Sequence, residues 1–313
     1  MKNRRIAVLM GGPSAEREVS LNTGKAIVQA LQEKGYNAVG IDIDPRNLVK
    51  QLTEAGIEVV FNAIHGKYGE DGILQGALEL LGIPYTGSGV LASAVAMDKG
   101  ISKRLFLQAN ISTPRSRQYA KQSADDKLVE LIVSEFSLPV VVKPVTQGSS
   151  IGVVIVEQAE DLLSALKEAF HFGDILIEEF IQGKELTVAI LGTDEPKVLP
   201  VIEIVPHNGR YDYQSKYTKG STEYIVPARL DSLTTKAVQE EALAAFKALA
   251  CRGIGRVDVM LDQNSTPYVL EVNTIPGMTG TSLVPKAAVA AGIAFADLCE
   301  IILLTATVGS MAN

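Results

Sequence analysis

Arg256-Val257-Asp258-Val259-Met260-Leu261 and, a short linker later, Tyr268-Val269-Leu270-Glu271-Val272-Asn273 are the two runs on which the reading of this chain turns. Both are rich in Val and Leu and both alternate, which predicts two antiparallel strands joined by a turn at Gln263-Asn264-Ser265-Thr266. A turn of that length sets Asp258 opposite Glu271 and Arg256 opposite Asn273. Side chains alternate across a strand, so these four share one face, while Val257, Val259, Leu261, Leu270 and Val272 share the core-facing one.

Two carboxylates directly opposite each other on a sheet repel, so a cation is expected between them. Asp258 and Glu271 with the amide oxygen of Asn273 form an all-oxygen set, which suits Mg²⁺ or Mn²⁺ better than zinc. Magnesium held in this way completes its shell with water and nucleotide phosphates. The plainer alternative is a surface hairpin whose charges meet solvent. The metal reading requires phosphate-binding parts elsewhere, and the chain supplies candidates.

With 313 residues, 47% of them hydrophobic and 21% charged, the chain has room for two or three globular domains with real cores. A net charge of −7 argues against binding nucleic acid through electrostatics. Cys251 and Cys299 lie far apart and in no metal or redox spacing, which suggests structural thiols in a reducing compartment. The apolar run Ile6–Met10 ends at Gly11-Gly12-Pro13, too soon for a signal peptide, and no run reaches the roughly 18 apolar residues of a membrane helix. A cytoplasmic protein with no membrane partner is the expectation.

Ile6–Met10 reads as a buried parallel strand feeding a glycine turn, followed by a helix from Glu18 to Lys34 that stops at Gly35. A strand at Ala38–Ile43, a helix at Asn47–Ala55, a strand at Val59–Ile64 and a helix at Ile73–Leu81 complete an alternation that predicts a doubly wound sheet. Ligands bind such sheets beyond the carboxyl ends of the strands, where Glu16 and His65 fall. The Gly11-Gly12 turn is not a dinucleotide fingerprint, even with Asp42 or Asp44 available for a ribose. The G-x-G-x-x-G spacing is absent and Pro13 stiffens the approach.

A second strand–helix–strand pattern runs through Arg115–Tyr119, Lys127–Phe136 and Pro139–Lys143, preceded by a helix at Ile101–Gln108. Between strands at Val140–Lys143 and Val153–Val156 lies Gln147-Gly148-Ser149-Ser150-Ile151-Gly152, either a plain hairpin turn or a loop offering N–H groups and hydroxyls to phosphates. It is not a Walker A loop. Lys143 supplies a charge beside it, and Lys99 is a second candidate phosphate lysine or a solvated surface charge. Beyond a helix at Glu160–Phe170, the strand Ile175–Glu179 runs through Ile177-Glu178-Glu179-Phe180-Ile181 into a linker. There an adenine could read exposed backbone and Glu185 could accept ribose hydroxyls.

The last region predicts a strand at Leu186–Leu191, a helix at Ser232–Leu249 and the hairpin quoted first. The segment 206–222 is long, polar and bounded by glycines, yet carries three of the chain's nine tyrosines, as expected of a lid that closes over a site. After Asn273, small residues and backbone amides lead through Gly277 and Ser282-Leu283 into a helix. This is an anion site suited to a carboxylate, or simply a helix entry capped by Ser282.

Taken together, Gly11-Gly-Pro-Ser-Ala-Glu16-Arg-Glu-Val-Ser-Leu21, His65-Gly-x-x-Gly-Glu-Asp-Gly72, Lys143-Pro with Gly148-Ser-Ser, Lys216-Tyr217, Gly255-Arg-x-Asp258-Val-Met and Glu271-Val-Asn273-Thr-x-Pro-Gly-Met form a set. It resembles the D-alanine–D-alanine ligases of the ATP-grasp superfamily, in order and over nearly the whole chain. The resemblance implies an α/β architecture: an N-terminal doubly wound parallel-sheet domain (1–98) followed by a two-lobed α+β ATP-grasp domain. That domain comprises a central part (99–184) and a C-terminal part (185–313), the latter carrying the metal site and lid. It also implies a homodimer.

The family mechanism, transferred motif by motif, implies that one D-alanine carboxylate attacks the γ-phosphate of ATP to give an acyl phosphate. A second D-alanine amine then displaces phosphate. On that pattern Asp258, Glu271 and Asn273 hold two Mg²⁺ ions; Lys99, Lys143, Ser150 and Lys216 hold phosphates; Glu178, Glu179, Ile181 and Glu185 hold the nucleoside. Glu16, with Ser149 and Tyr217 around it, binds the first ammonium, and His65 lies near the first carboxylate. Arg256 and the N–H of Gly277 stabilise the oxyanion, and Ser282 and Leu283 take the second carboxylate. Members that make the alanine–lactate ester differ at the lid position, so Tyr217 favours the dipeptide. Rival readings are another carboxylate–amine ATP-grasp ligase, such as one using D-lactate, a silent nucleotide-binding protein, and a dehydrogenase.

Overall fold

In the computed structural model residues 1–207 and 220–309 are described, and they form three sheets. The first has β1 (Arg5–Met10), β2 (Asn37–Asp42) and β3 (Val59–Asn62), all parallel in the order β2-β1-β3. With β1 central, the chain leaves it to one side for β2 and returns on the other for β3, which makes the β1/β3 crevice the switch point. Helix α1 (Arg17–Glu33) packs on one face through Ile27, Ala30 and Leu31; α2 (Leu48–Glu54) and α3 (Ile73–Leu81) cover the other through Leu48, Leu52, Leu74 and Leu78. Strands buried on both faces must be apolar throughout, which is why Ile6–Met10 carries no polar residue.

A short helix α4 (Val90–Met97) precedes α5 (Lys99–Gln108). Asp98 separates them: its extended backbone ends α4, and its carboxylate caps α5 by accepting from Ile101 N. The central sheet is antiparallel, with β4 (Ser116–Tyr119), β5 (Val140–Pro144), β6 (Val154–Val156) and β7 (Ile175–Glu179) in the order β4-β7-β5-β6. Helices α6 (Asp126–Glu135) and α7 (Ala159–Ala169) close its core over Leu128, Ile132, Leu162 and Leu166.

The third sheet is built from β8 (Gly183–Gly192), β9 (Lys197–Val198), β10 (Ile202–Pro206), β11 (Thr222–Ile225), β12 (Gly253–Asp262) and β13 (Pro267–Asn273). Its order is β11-β10-β8-β12-β13, with β9 paired to β8. Helix α8 (Ser232–Ala248), capped by Asp231, packs beneath it through Val238, Ala242 and Phe246. Helices α9 (Leu283–Ala290) and α10 (Phe295–Leu304) then reach back to the first sheet. Val284, Leu298 and Cys299 share one apolar cluster with Ile6, Val8 and Leu31, and Lys34, just past the end of α1, pairs with Asp297 and Glu300 on α10. Among the described residues no single helix is long and apolar enough to cross a membrane.

Three expectations change. The hairpin pairs Arg256 with Asn273 and Asp258 with Glu271 as the alternation predicts, but a bulge follows and Val259 pairs with Val269. The turn is therefore Asp262–Thr266, held by Asp262 Oδ1 accepting from Asn264 N and Thr266 N at 2.8 Å each. The extra residue, Leu270, turns away half-buried, and Val269 takes the core position assigned to it. Second, β8 begins at Gly183, not Leu186: a Cβ there would sit 1.8 Å from Leu261 O, so only glycine lets the strands approach. Third, α4, α10 and the strands β9–β11 were not anticipated. Pro206 pairs with Thr222 in β10 and β11, so the expected lid segment springs from a strand pair, with 208–219 outside the described residues.

The loop after β3 depends on close backbone approach. A Cβ on Gly69 would lie 2.0 Å from Ile64 O, and Gly69 O accepts from Asn62 Nδ2 at 2.9 Å and Gln75 Nε2 at 2.6 Å. Gly69→Ala must push two backbone segments apart, with an expected cost of about 1–3 kcal/mol. Urea unfolding of the variant measures it; an unchanged midpoint would show that the loop adjusts freely.

Candidate active site

Two left-handed glycines, Gly11 (φ 76°) and Gly12 (φ 79°), turn the chain out of β1. A side chain on Gly11 would strike Asp42, which pairs with Arg17. Glu16 follows as the residue that enters α1. Ser14 Oγ donates to His65 O at 2.8 Å, fastening this turn to the loop after β3. Both loops therefore meet at the switch point.

His65 is buried there, and its ring faces the protein on both sides. Nδ1 donates to Ile275 O at 2.9 Å; a carbonyl only accepts, so Nδ1 carries that proton. Nε2 lies 3.2 Å from Thr23 Oγ1, and Glu70 Oε1 is 3.8 Å from Nδ1. Burial pushes the Glu70 carboxyl above its ordinary range; His65 opposes the shift and the nearby charge of Glu16 adds to it.

The loop between β5 and β6 approaches from the opposite side. Ser149 (φ 52°) and Ser150 (φ 57°) are adjacent non-glycine residues in the left-handed region, a conformation costing about 1–3 kcal/mol each and characteristic of ligand clamps. The Ser149 hydroxyl donates to Glu16 Oε1, so the central part of the chain touches the N-terminal part at this carboxylate. Lys99 Nζ donates to Gln147 O at 2.7 Å at the base of the loop.

On the hairpin each carboxylate has its own cation. Arg256 grips Asp258 with Nε at 2.9 Å from Oδ1 and Nη2 at 2.8 Å from Oδ2, while Thr187 Oγ1 (2.7 Å) and Asn273 Nδ2 (3.0 Å) also donate to it. Lys99 Nζ lies 3.2 Å from Glu271 Oε2. The like-charge conflict foreseen from the sequence is thus resolved by two separate cations. Among the described residues no group of three His, Cys, Asp or Glu side chains is placed to hold a metal ion. The candidate set is two carboxylates plus the Asn273 amide. Its all-oxygen chemistry fits magnesium or manganese accompanied by phosphate oxygens.

Ser282 stands at the head of α9 without capping it. Its Oγ accepts from Thr279 N at 3.1 Å and lies 2.9 Å from Thr279 Oγ1. The hydroxyl therefore stays beside Gly277, where an added Cβ would come within 2.9 Å of it.

These elements enclose one cavity of about 280 Å³. Glu16, His65, Ser149, Arg256, Asp258, Glu271, Asn273, Gly277, Ser282 and Leu283 all line it, as the motifs imply. Val19, Asn22, Glu70, Tyr224, Thr279 and Thr281 line it too and were missed. Val19 lies three residues beyond Glu16, so helical spacing could have found it; Glu70 sits inside a motif already quoted. Tyr224 belongs to the unforeseen β11 and had no signal. Lys216 and Tyr217 lie outside the described residues.

The remaining nucleotide candidates do not line this cavity. Lys143 Nζ lies 2.7 Å from Glu178 Oε1, and the same oxygen is 3.0 Å from Lys103 Nζ. The Glu178 carboxylate, which the resemblance assigns to the nucleotide, is buried between two lysines. Burial pushes its carboxyl up, but Lys103 and Lys143 outweigh burial and hold it below the ordinary value. Glu179, Ile181 and Glu185 are half-buried where β7 passes into β8, and Ser150 sits in the strained loop.

Against known families, residues 5–54 and 46–88 match the family described as D-ala D-ala ligase N-terminus, and residues 109–304 match D-ala D-ala ligase C-terminus. A D-alanine–D-alanine ligase of Desulforudis audaxviator is 52% identical over 299 residues, covering 95% of this chain and 96% of the relative. The D-alanine–D-alanine ligase of Bacillus anthracis complexed with ATP superposes with a TM-score of 0.82 at 38% identity, covering 96% and 97% of the two chains. The VanG D-Ala:D-Ser ligase of Enterococcus faecalis superposes at 0.83 with 31% identity, covering 97% and 99%. With both halves of the family pattern matched and the sheet order and cavity in place, this chain belongs to the D-alanine–D-alanine ligase family.

Proposed function

We propose that this chain joins two D-alanines into D-alanyl-D-alanine at the expense of ATP, for peptidoglycan precursor synthesis. One observation carries the proposal: residues from three distant stretches, at Glu16, Ser149 and Arg256–Leu283, line a single cavity that offers carboxylates together with a guanidinium, hydroxyls and amides. An amino acid is dipolar, and such a cavity complements it at both ends.

In this reading Glu16 accepts the ammonium of the first D-alanine, and Ser149 holds Glu16 in place through its hydroxyl. The first carboxylate attacks the terminal phosphorus of ATP and displaces ADP, forming an acyl phosphate. Lys99, Lys143 and the loop around Ser150 position the phosphates, with Lys216 as a further candidate. Glu179, Ile181 and Glu185 border the nucleoside. Ser282 and Leu283 receive the carboxylate of the second D-alanine, whose amine attacks the acyl carbon and expels phosphate. Arg256 and the N–H of Gly277 face the oxygen that gains charge, a role typically worth about 3–4 kcal/mol per donor. Asp258, Glu271 and Asn273 are the residues that would hold Mg²⁺ or Mn²⁺, which when bound neutralises phosphate charge during transfer. Segment 206–222, with Tyr217, excludes water from the acyl phosphate. His65, held by Ile275 and Thr23, shapes the wall beside Glu70 and is assigned no proton transfer. Homodimer assembly and a cytoplasmic setting belong to the same proposal.

Phosphate release from Mg·ATP is expected with D-alanine alone, the product identified as D-alanyl-D-alanine by mass spectrometry. L-alanine, D-lactate and D-serine supplied singly are expected to give little turnover. Silence with D-alanine and turnover with another acid would keep an ATP-dependent ligase and overturn the substrate. Glu271→Gln is expected to lower kcat by on the order of a hundredfold or more in a protein that still folds, with a melting curve reading separately what the lost charge on the Lys99 contact costs. Wild-type turnover of that variant at saturating Mg²⁺ would sink the metal assignment.

A further inference from the structure

Lys103 is a lysine that the reaction as proposed does not use, yet it is 2% exposed. It lies one helical turn after Lys99 on α5, so both side chains leave the same side of the helix. Its ammonium meets Glu178 Oε1 at 3.0 Å, Thr113 Oγ1 at 2.7 Å and Pro114 O at 3.3 Å. Thr113 Oγ1 in turn donates to Val269 O at 2.7 Å. One ammonium thus joins α5, the strand bearing Glu178 and, through Thr113, the hairpin that carries Glu271.

Burying an ammonium is costly. Burial, opposed by Glu178 and reinforced by Lys143, brings Lys103 down to about 8. An apolar side chain of similar volume would pack here without that cost, so a purely structural role is poorly served by a charge. The geometry suggests what the charge does. Alone with Lys143, Glu178 would form a closed one-to-one pair, and the Lys143 ammonium would be neutralised where it stands. With both lysines on the same carboxylate oxygen, the trio keeps an excess positive charge in a region of low effective dielectric, where charge acts at longer range than in water.

We infer that Lys103 is a positioning residue for the nucleotide: by sharing Glu178 with Lys143 it leaves the trio an excess positive charge, with which the Lys143 ammonium holds a phosphate while still touching Glu178. This rests on the reading of Lys143 as a phosphate-binding residue. Lys103 itself stays behind Glu178 and touches no substrate. Through its place on α5 it also fixes the turn from which Lys99 reaches Gln147 O and Glu271.

The test is calorimetric titration of Mg·ADP into the intact wild-type protein, Lys103→Met and Lys143→Met, with ATP and D-alanine kinetics and melting temperatures alongside. Lys103→Met is expected to raise the Kd for ADP and the KM for ATP about tenfold. The KM values for D-alanine should stay within about twofold, and the melting temperature reads separately any stability lost with the contacts to Thr113, Pro114 and Glu178. An unchanged ADP affinity in Lys103→Met overturns the inference, whatever happens to stability. If Lys143→Met also leaves ADP binding unchanged, the phosphate reading of Lys143 fails and takes this inference with it. Weakened binding in Lys143→Met alone overturns only the role of Lys103. Should Lys103→Met fail to fold, Thr113→Val removes one anchor of the ammonium. It is expected to weaken ADP binding about threefold, and wild-type affinity in that variant overturns the inference equally.

Discussion

Two carboxylates side by side on one hairpin impose the constraint on which the rest depends. Asp258 and Glu271 stand opposite each other in β12 and β13, and neither can move away without breaking the ladder. The fold answers by importing charge. Asp258 takes a guanidinium from its own strand, and Glu271 takes Lys99 from a helix in a different part of the chain. Once Lys99 is committed to Glu271 and to Gln147 O, the position of α5 and the base of the 147–152 loop follow. A local repulsion thereby becomes a long-range tie between the hairpin and the loop that closes on Glu16.

The walls that carry this tie are stiff because they share a core. Helices α9 and α10 belong by sequence to the last region, but their apolar sides join Ile6, Val8 and Leu31 of the first sheet in one cluster. His65 adds a polar fastening, its Nδ1 proton directed at Ile275 O just before the Pro276-Gly277 turn. Residues 210 apart in sequence are thus held within hydrogen-bonding distance at the cavity wall. A site whose donors must sit within a fraction of an ångström of a developing charge needs support of this kind.

Much of the architecture was legible because periodicity reports burial. Ile6–Met10, Val140–Val142 and Ile175–Ile177 are apolar runs, and all three lie in strands. The residues that point out of strands and turns into the cavity were legible for a related reason: a carboxylate or glycine at a strand end has few structural uses. What stayed hidden depends on partners remote in sequence. Val269 and Leu270 are both apolar, so nothing local says which one a bulge will turn outward. Serine has no left-handed preference, so Ser149 and Ser150 gave no sign that their backbone is strained; the contact with Glu16 that accompanies it comes from the other end of the molecule. Helix α4 is so uniformly apolar and small-residued that it lacks a polar face to set its phase.

Lysines show the limit most clearly. Lys99 and Lys103 are four residues apart on an ordinary-looking helix, and sequence alone reads either as a solvated charge. Their environments differ because of what faces them. Lys99 meets a carboxylate at the cavity edge, whereas Lys103 meets one already engaged by Lys143. With two lysines on one carboxylate, the Glu178 trio keeps an excess positive charge. What a lysine in such a site meets is therefore set by the groups that face it, not by its own place in the sequence. In this chain the group that faces Lys103 and Lys143 is Glu178, a residue that only the family resemblance had placed at the nucleotide.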